Sequence, residues 1–133
     1  MRTNKVDVRI ILSALWVAVE FLYQHGDTLR LYSGDFKPGE LNLGGMMSPG
    51  MMWMISAITM TIPVVMIILS LILPHNPNRW ANIIVAIFFF LYSLVGLVGS
   101  NYPSAYDKYL LAVSMVANVL IVWYAWNWPR LEV

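Results

Sequence analysis

The chain contains no cysteine in its 133 residues. That excludes disulfides, thiol redox chemistry, iron–sulfur clusters held by cysteine and cysteine zinc sites. Charge is scarce as well. Asp, Glu, Lys and Arg together make up 11% of the residues, whereas a soluble domain carries about a quarter. So little polar surface cannot cover a water-soluble globule of this length. The eight Lys and Arg are scattered and the net charge is only +1. No nucleic-acid partner is expected, because phosphate binding needs a clustered basic face.

What the chain has instead is hydrocarbon, with hydrophobic residues forming 59% of it. Crossing about 30 Å of bilayer takes roughly 20 apolar residues. Four runs approach or exceed that length: residues 8–24, 51–73, 80–98 and 109–128. They predict an all-α polytopic membrane protein, an up-down-up-down bundle of four transmembrane helices. Residues 1–130 form one membrane domain, with a long outer loop at 27–48. The first run, preceded by Arg2, Lys5 and Arg9, reads as a retained helix because no small-residue cleavage site follows it. Leu131-Glu132-Val133 reads as the remnant of an appended linker and is set aside.

The ends of the runs carry their own signals. His25 and Gly26 are expected to close the first helix, and Ser48 with Pro49 to open the second. Residues 74–79 read as a short link, and Asn101, Pro103 and Ser104 mark the last turn. Counting basic residues near the ends gives Arg2, Lys5, Arg9, Arg79 and Arg130 on one side against Arg30, Lys37 and Lys108 on the other. The larger set is retained in the cytoplasm, so both termini are expected there and the protein in a bacterial inner membrane. Trp80, Trp126 and Trp128 would form the inner aromatic belt, with Trp53, Tyr106 and Tyr109 outside.

Polar residues within such a bundle turn inward. Each run carries a stripe of them: Ser13, Glu20, Gln24 and Asp27; Ser56, Thr59, Pro63 and Ser70; Asn82, Ala86, Ser93, Gly96 and Ser100; Ser114, Asn118 and Ala125. Their spacing near 3.5 residues implies left-handed packing. Depth counting brings Glu20, Ser56, Thr59, Ser93, Ser114 and Asn118 to one level in the outer half. The expectation is a polar pocket centred on Glu20, roofed by the long loop and opened by a bend at Pro63, whose missing N–H frees the carbonyl of Thr59.

Glu20 leads the candidates for ligand or proton binding, since a carboxyl group within a span needs an offsetting partner. The alternative is a glutamate that ties helices together near the interface. Gln24, Asp27 and Arg30 belong to the pocket mouth, where Asp27 and Arg30 could pair and receive a charged or zwitterionic ligand. The competing reading has Asp27 capping a short interfacial helix over 28–32 while Arg30 reaches toward head groups. Arg79 and Trp80, beside Asn78 and Asn82, read as an anchor with a weaker head-group contact. His25 and His75 lie at opposite ends, which excludes a bis-histidine haem. The nine methionines, five of them at 46, 47, 51, 52 and 54, lack the His or Cys company of a copper site and read as packing. No metal, cofactor or catalytic residue is assigned.

Three segments carry a resemblance: Ser13-Ala14-Leu15-Trp16, Gly26-Asp27-Thr28-Leu29-Arg30 and Asn78-Arg79-Trp80-Ala81-Asn82. From about Ile10 to Trp128 the chain resembles a poorly characterised family of small four-helix bacterial membrane proteins, and more loosely the DoxX-like proteins. The resemblance implies the four-span architecture and transfers no activity. The leading expectation is binding or transport of a small molecule, lipid or proton at Glu20, with a homo-oligomer as the form that would widen a pathway. The alternatives are a membrane enzyme acting on a lipid-like substrate and a non-catalytic accessory subunit docking through the outer loop. Partners are membrane lipids and a small-molecule or lipid ligand.

Overall fold

The structure is a computed structural model, and it describes residues 6–34, 49–99 and 104–128. Four helices make it up: α1 (Val8–Ser33), α2 (Pro49–Ile72), α3 (His75–Val98) and α4 (Ala105–Trp126). Each is long and apolar enough to cross a membrane, and large apolar side chains such as Phe21, Ile58, Ile84 and Val116 face outward. Such outward hydrocarbon suits lipid and is compatible with a multi-pass membrane protein.

Side-chain bonds between helices give the topology. Ser33 meets Tyr106 and Arg30 meets Asp107, so α1 and α4 run antiparallel. Trp16 meets Asn82 and Tyr23 meets Ser93, so α1 and α3 run parallel across the diagonal. Ser93 meets Ser114 while Arg79 meets Ala125, which sets α3 antiparallel to α4. The order is up-down-up-down. α4 packs along both α1 and α3, and α2 packs mainly on α1. α2 and α3 touch far less than these pairs, and hydrogen bonds join Ser70 to Asn78 and Asn82 beside the link.

α1 departs from the expected helix by continuing well past Gln24. Its left-handed C-cap is Gly34, at φ 81°, and not Gly26. Gly26 is buried in mid-helix, where a Cβ would lie 3.3 Å from the Arg30 guanidinium and 3.7 Å from Leu110 of α4. The missing side chain is what lets α4 and Arg30 close over this turn. Thr28 and Ser33 donate back to the carbonyls of Gln24 and Arg30, so the polar residues stay within the helix. At 26 residues, α1 is about 39 Å long, longer than the hydrocarbon core. Residues 27–34 of the expected loop, with the short helix at 28–32, are therefore the last turns of α1.

The expected link at 74–79 shrinks to Leu73 and Pro74, because His75–Val98 is helical. Pro77 sits in the first turn, where proline loses no bond. Asn78 then donates to the carbonyls of Ser70 and Leu73 at 2.7 and 3.3 Å, closing the end of α2. α4 likewise starts at Ala105 rather than 109, and α2 begins at Pro49. Arg2, Lys5, Asp35, Lys37, Glu40, Met46, Met47, Ser48, Ser100, Asn101, Pro103, Arg130 and residues 131–133 lie outside the described residues.

At the start of α1, Asp7 accepts from the Arg9 N–H at 2.9 Å. That backbone bond, with a lesser part from the Arg9 guanidinium, holds the Asp7 carboxyl below the usual aspartate range. A folded-state value below the unfolded one stabilises above the unfolded pKa and is lost as pH falls through the folded one. Asp7→Ala is expected to cost about 1 kcal/mol at neutral pH, as for other N-caps. Thermal melts in detergent at pH 7 and pH 3 check this: the gap between variant and parent should narrow in acid.

Candidate functional site

Of the expected α1 stripe, Ser13 is buried and donates to the carbonyl of Ile67 on α2 at 2.9 Å, whereas Gln24 and Asp27 are exposed. The rest of the interior face is Leu12, Trp16, Val19 and Gly26, with Tyr23 turned inward beside them. The physical reason is area: Trp16 and Tyr23 bury large rings, and each carries a polar tip that finds a partner inside. Trp16 stacks edge-on against Phe89 at 6.1 Å between centroids, and Tyr23 lies 5.9 Å from the same ring.

Two buried hydrogen-bond clusters follow from these tips. Near the α2–α3 link, the Trp16 indole donates to Asn82 Oδ1 at 2.7 Å, and Ser70 Oγ donates to the same oxygen at 3.2 Å. Asn82 Nδ2 donates to Asn78 O and Oδ1 at 2.8 and 2.6 Å. Ser70, Asn78 and Asn82 are all 0% exposed. In the other half, Tyr23 Oη, Ser93 Oγ and Ser114 Oγ form a chain with spacings of 2.5 and 3.1 Å. Ser114 Oγ donates to the carbonyl of Leu111.

The residues expected in one pocket are thus divided. Ser93 and Ser114 join Tyr23 in the core. Glu20 and Gln24 line a groove of about 180 Å³ with Val17, Phe21 and Ile67, between α1 and α2. Glu20 Oε2 is buried there without a hydrogen-bond partner. Ser56 and Thr59 are half-buried on α2, and Thr59 Oγ1 donates to its own helix at the carbonyl of Ile55. Pro63 is buried. Asn118 lines a different groove, between α3 and α4.

Arg30 turns inward along α1 and bridges two carboxylates. It bonds Asp27 on its own helix and Asp107 of α4, the latter at 2.6 Å. Asp107 is buried in the first turn of α4, where the positive end of the helix favours a carboxylate. Ser33 and Tyr106 add a hydroxyl pair at 2.8 Å.

At the opposite end, Arg79 donates through Nε to the carbonyl of Ala125 and through Nη2 to that of Trp126, at 3.0 and 3.1 Å. Its guanidinium stands 5.3 and 5.1 Å from the ring centroids of Trp80 and Trp126. Arg79 therefore closes the C-terminus of α4, a favoured place for a cation. Trp128 departs from the expected belt: it is buried against His75, with centroids 4.9 Å apart.

Sequence reasoning missed Tyr23 and Asp107 as members of these clusters, and passed over Trp16 and Asn78 as core polar groups. Asp107 had a usable signal, an acid in the first turn of a span. Trp16 stands one turn from Glu20 on the same helix, and three and seven residues before Val19 and Tyr23, a helical repeat hidden among apolar neighbours.

No curated protein and no solved structure matches the chain. A family model described as a family of unknown function, DUF6326, matches residues 3–133. With nearly the whole length matched, the four-helix chain belongs to this DUF6326 family.

Proposed function

We propose that the protein is a multi-pass membrane protein that binds a small molecule bearing a hydrogen-bond donor in the groove between α1 and α2, with Glu20 as the receiving group. The observation that carries this reading is Glu20 Oε2, buried yet without a partner at a groove of about 180 Å³. A carboxyl oxygen so placed is costly unless something donates to it. Val17, Phe21 and Ile67 offer apolar walls, and Gln24 adds a second polar group. Such a lining suits an amphiphile with one amine or hydroxyl end and a short apolar body. The volume lies below the roughly 300–1,000 Å³ of sites for drug-sized ligands, so the ligand is small or enters by one end.

Native mass spectrometry of protein released gently from detergent tests this. The unaltered protein is expected to retain a stoichiometric small ligand, and Glu20→Gln to lose it while keeping its helical circular dichroism. An empty unaltered protein, or a ligand held equally by Glu20→Gln, removes Glu20 from the role.

A further inference from the structure

Arg79 is half-buried one turn into α3 and has no carboxylate partner among the described residues. The other described arginines are paired, Arg9 with Asp7 and Arg30 with Asp27 and Asp107. Where α1 and α3 start and α4 stops, the described charged side chains besides His75 are Asp7, Arg9 and Arg79. Asp7 and Arg9 neutralise each other, so the charge of Arg79 is left unbalanced. The two bonds that hold Arg79 also use only one edge of its guanidinium. Nε and Nη2 donate to the carbonyls of Ala125 and Trp126, which leaves the other edge, Nη1 with the second N–H of Nη2, as a parallel pair of donors. Such a fork matches two oxygens of a phosphate.

Depth favours the same partner. α3 has 24 residues and is about 36 Å long, so it outreaches the hydrocarbon, about 30 Å thick. Arg79 lies about 6 Å from the start of α3, where a long side chain reaches the phosphate level. Trp80 and Trp126, whose ring centroids stand 5.3 and 5.1 Å from the guanidinium, are both exposed, as tryptophans at a head-group boundary are.

We infer that this end of the bundle holds the phosphodiester of an anionic phospholipid, with the free edge of Arg79 as its anchor. The head group is one that adds no cation beside its phosphate, such as glycerol. Choline or ethanolamine would bring a second positive charge to an end that already carries an unbalanced one. The acyl chains lie on ordinary outward hydrocarbon and add no selection. The site is at the opposite end of the bundle from Arg30 and stands or falls independently of the Glu20 groove.

Lipid titration read by native mass spectrometry tests the inference, with delipidated protein in detergent and dioleoylphosphatidylglycerol or dioleoylphosphatidylcholine as the probe. One phosphatidylglycerol per chain is expected to bind saturably, about fivefold more tightly than phosphatidylcholine, the change that one basic residue brings at an anionic surface. Arg79→Gln should weaken phosphatidylglycerol by about the same factor. Arg9→Gln removes an equal charge at the same end and should leave binding unchanged. Inorganic phosphate in large excess should not displace the lipid, because the free ion brings no chain to hold it at the bilayer. Arg79 also closes α4, so circular dichroism must first show that Arg79→Gln is folded. Phosphatidylglycerol with a diazirine at the head of one acyl chain decides the matter without a variant: on the unaltered protein it should label residues 79–84 and 122–128, in competition with the unlabelled lipid. Equal binding of the two lipids, full binding by folded Arg79→Gln, an equal loss in Arg9→Gln, displacement by inorganic phosphate, or labels confined elsewhere would each overturn the inference.

Discussion

Asn82→Ala is expected to lower the stability of the bundle by about 2–4 kcal/mol. Asn82 accepts from Trp16 and Ser70 and donates to two oxygens of Asn78, at distances from 2.6 to 3.2 Å. In a membrane a single interhelical hydrogen bond contributes about 0.6 kcal/mol on average and up to roughly 1.7. Two of the four, those from Trp16 and Ser70, cross between helices, and together they supply about 1.2–3.4 kcal/mol. The remainder comes from the Trp16 indole, left without an acceptor while 0% exposed, and from the void left by the truncated amide. Unfolding in mixed detergent micelles, followed by tryptophan fluorescence, gives the number. Asn82→Ser separates the two contributions, because a short hydroxyl can still meet one donor but leaves the void. A loss under about 0.6 kcal/mol, the mean for a single bond, would show that the four bonds do not act together.

Arg30→Ala should be the other large effect, at about 3 kcal/mol. Asp107 is 2% exposed in its side chain, and the Arg30 guanidinium contacts it at 2.6 Å. Removing the cation strands a buried carboxylate, the costly half of breaking such a pair. Its position in the first turn of α4 offsets part of this through the helix dipole, which keeps the figure at the low end of the usual range. Asp107→Asn in the Arg30→Ala background should restore most of the loss, because a neutral amide needs no counter-charge. Arg30→Lys should recover only a fraction, since an ammonium cannot match the planar fork that holds Asp27 and Asp107 together. A double-mutant cycle over Arg30 and Asp107 measures the coupling directly. If the losses of the two single variants simply summed to that of the double, the coupling would be zero and the ion pair would hold nothing between α1 and α4.

The four spans were legible because their signal is length multiplied by hydropathy, and neither depends on neighbours. The helix ends were less so. Gly26 and the Pro74–Pro77 segment are local punctuation, and local punctuation yields to packing: Gly26 was needed small under Arg30 and Leu110, and Pro77 fell in a first turn that tolerates it. The polar stripes of α3 and α4 matched burial at Asn82, Ala86, Ser93, Ser114, Asn118 and Ala125. On α1 the stripe matched burial at Ser13 but misled at Gln24 and Asp27, because small and polar residues were weighed and aromatic residues with polar tips were not. The grouping of Glu20 with Ser93, Ser114 and Asn118 assumed that equal depth means one cavity. Depth is a single coordinate: Ser93 and Ser114 do meet in the core, while Glu20 opens on the groove between α1 and α2.

The sequence by itself determined that the chain forms four apolar helices, that cysteine chemistry is absent and that Glu20 and Asn118 stand in unusual surroundings for polar groups. Those conclusions rest on composition and on distances along the chain. Only the tertiary structure decided the partners: Trp16 with Asn82, Tyr23 with Ser93, Arg30 with Asp107 and Arg79 with the end of α4. The same structure left Glu20 Oε2 unmet at the groove between α1 and α2. The reason is rotational. A helical repeat fixes which residues of one helix share a face, but the angle at which that face meets its neighbours is set by all four packings at once.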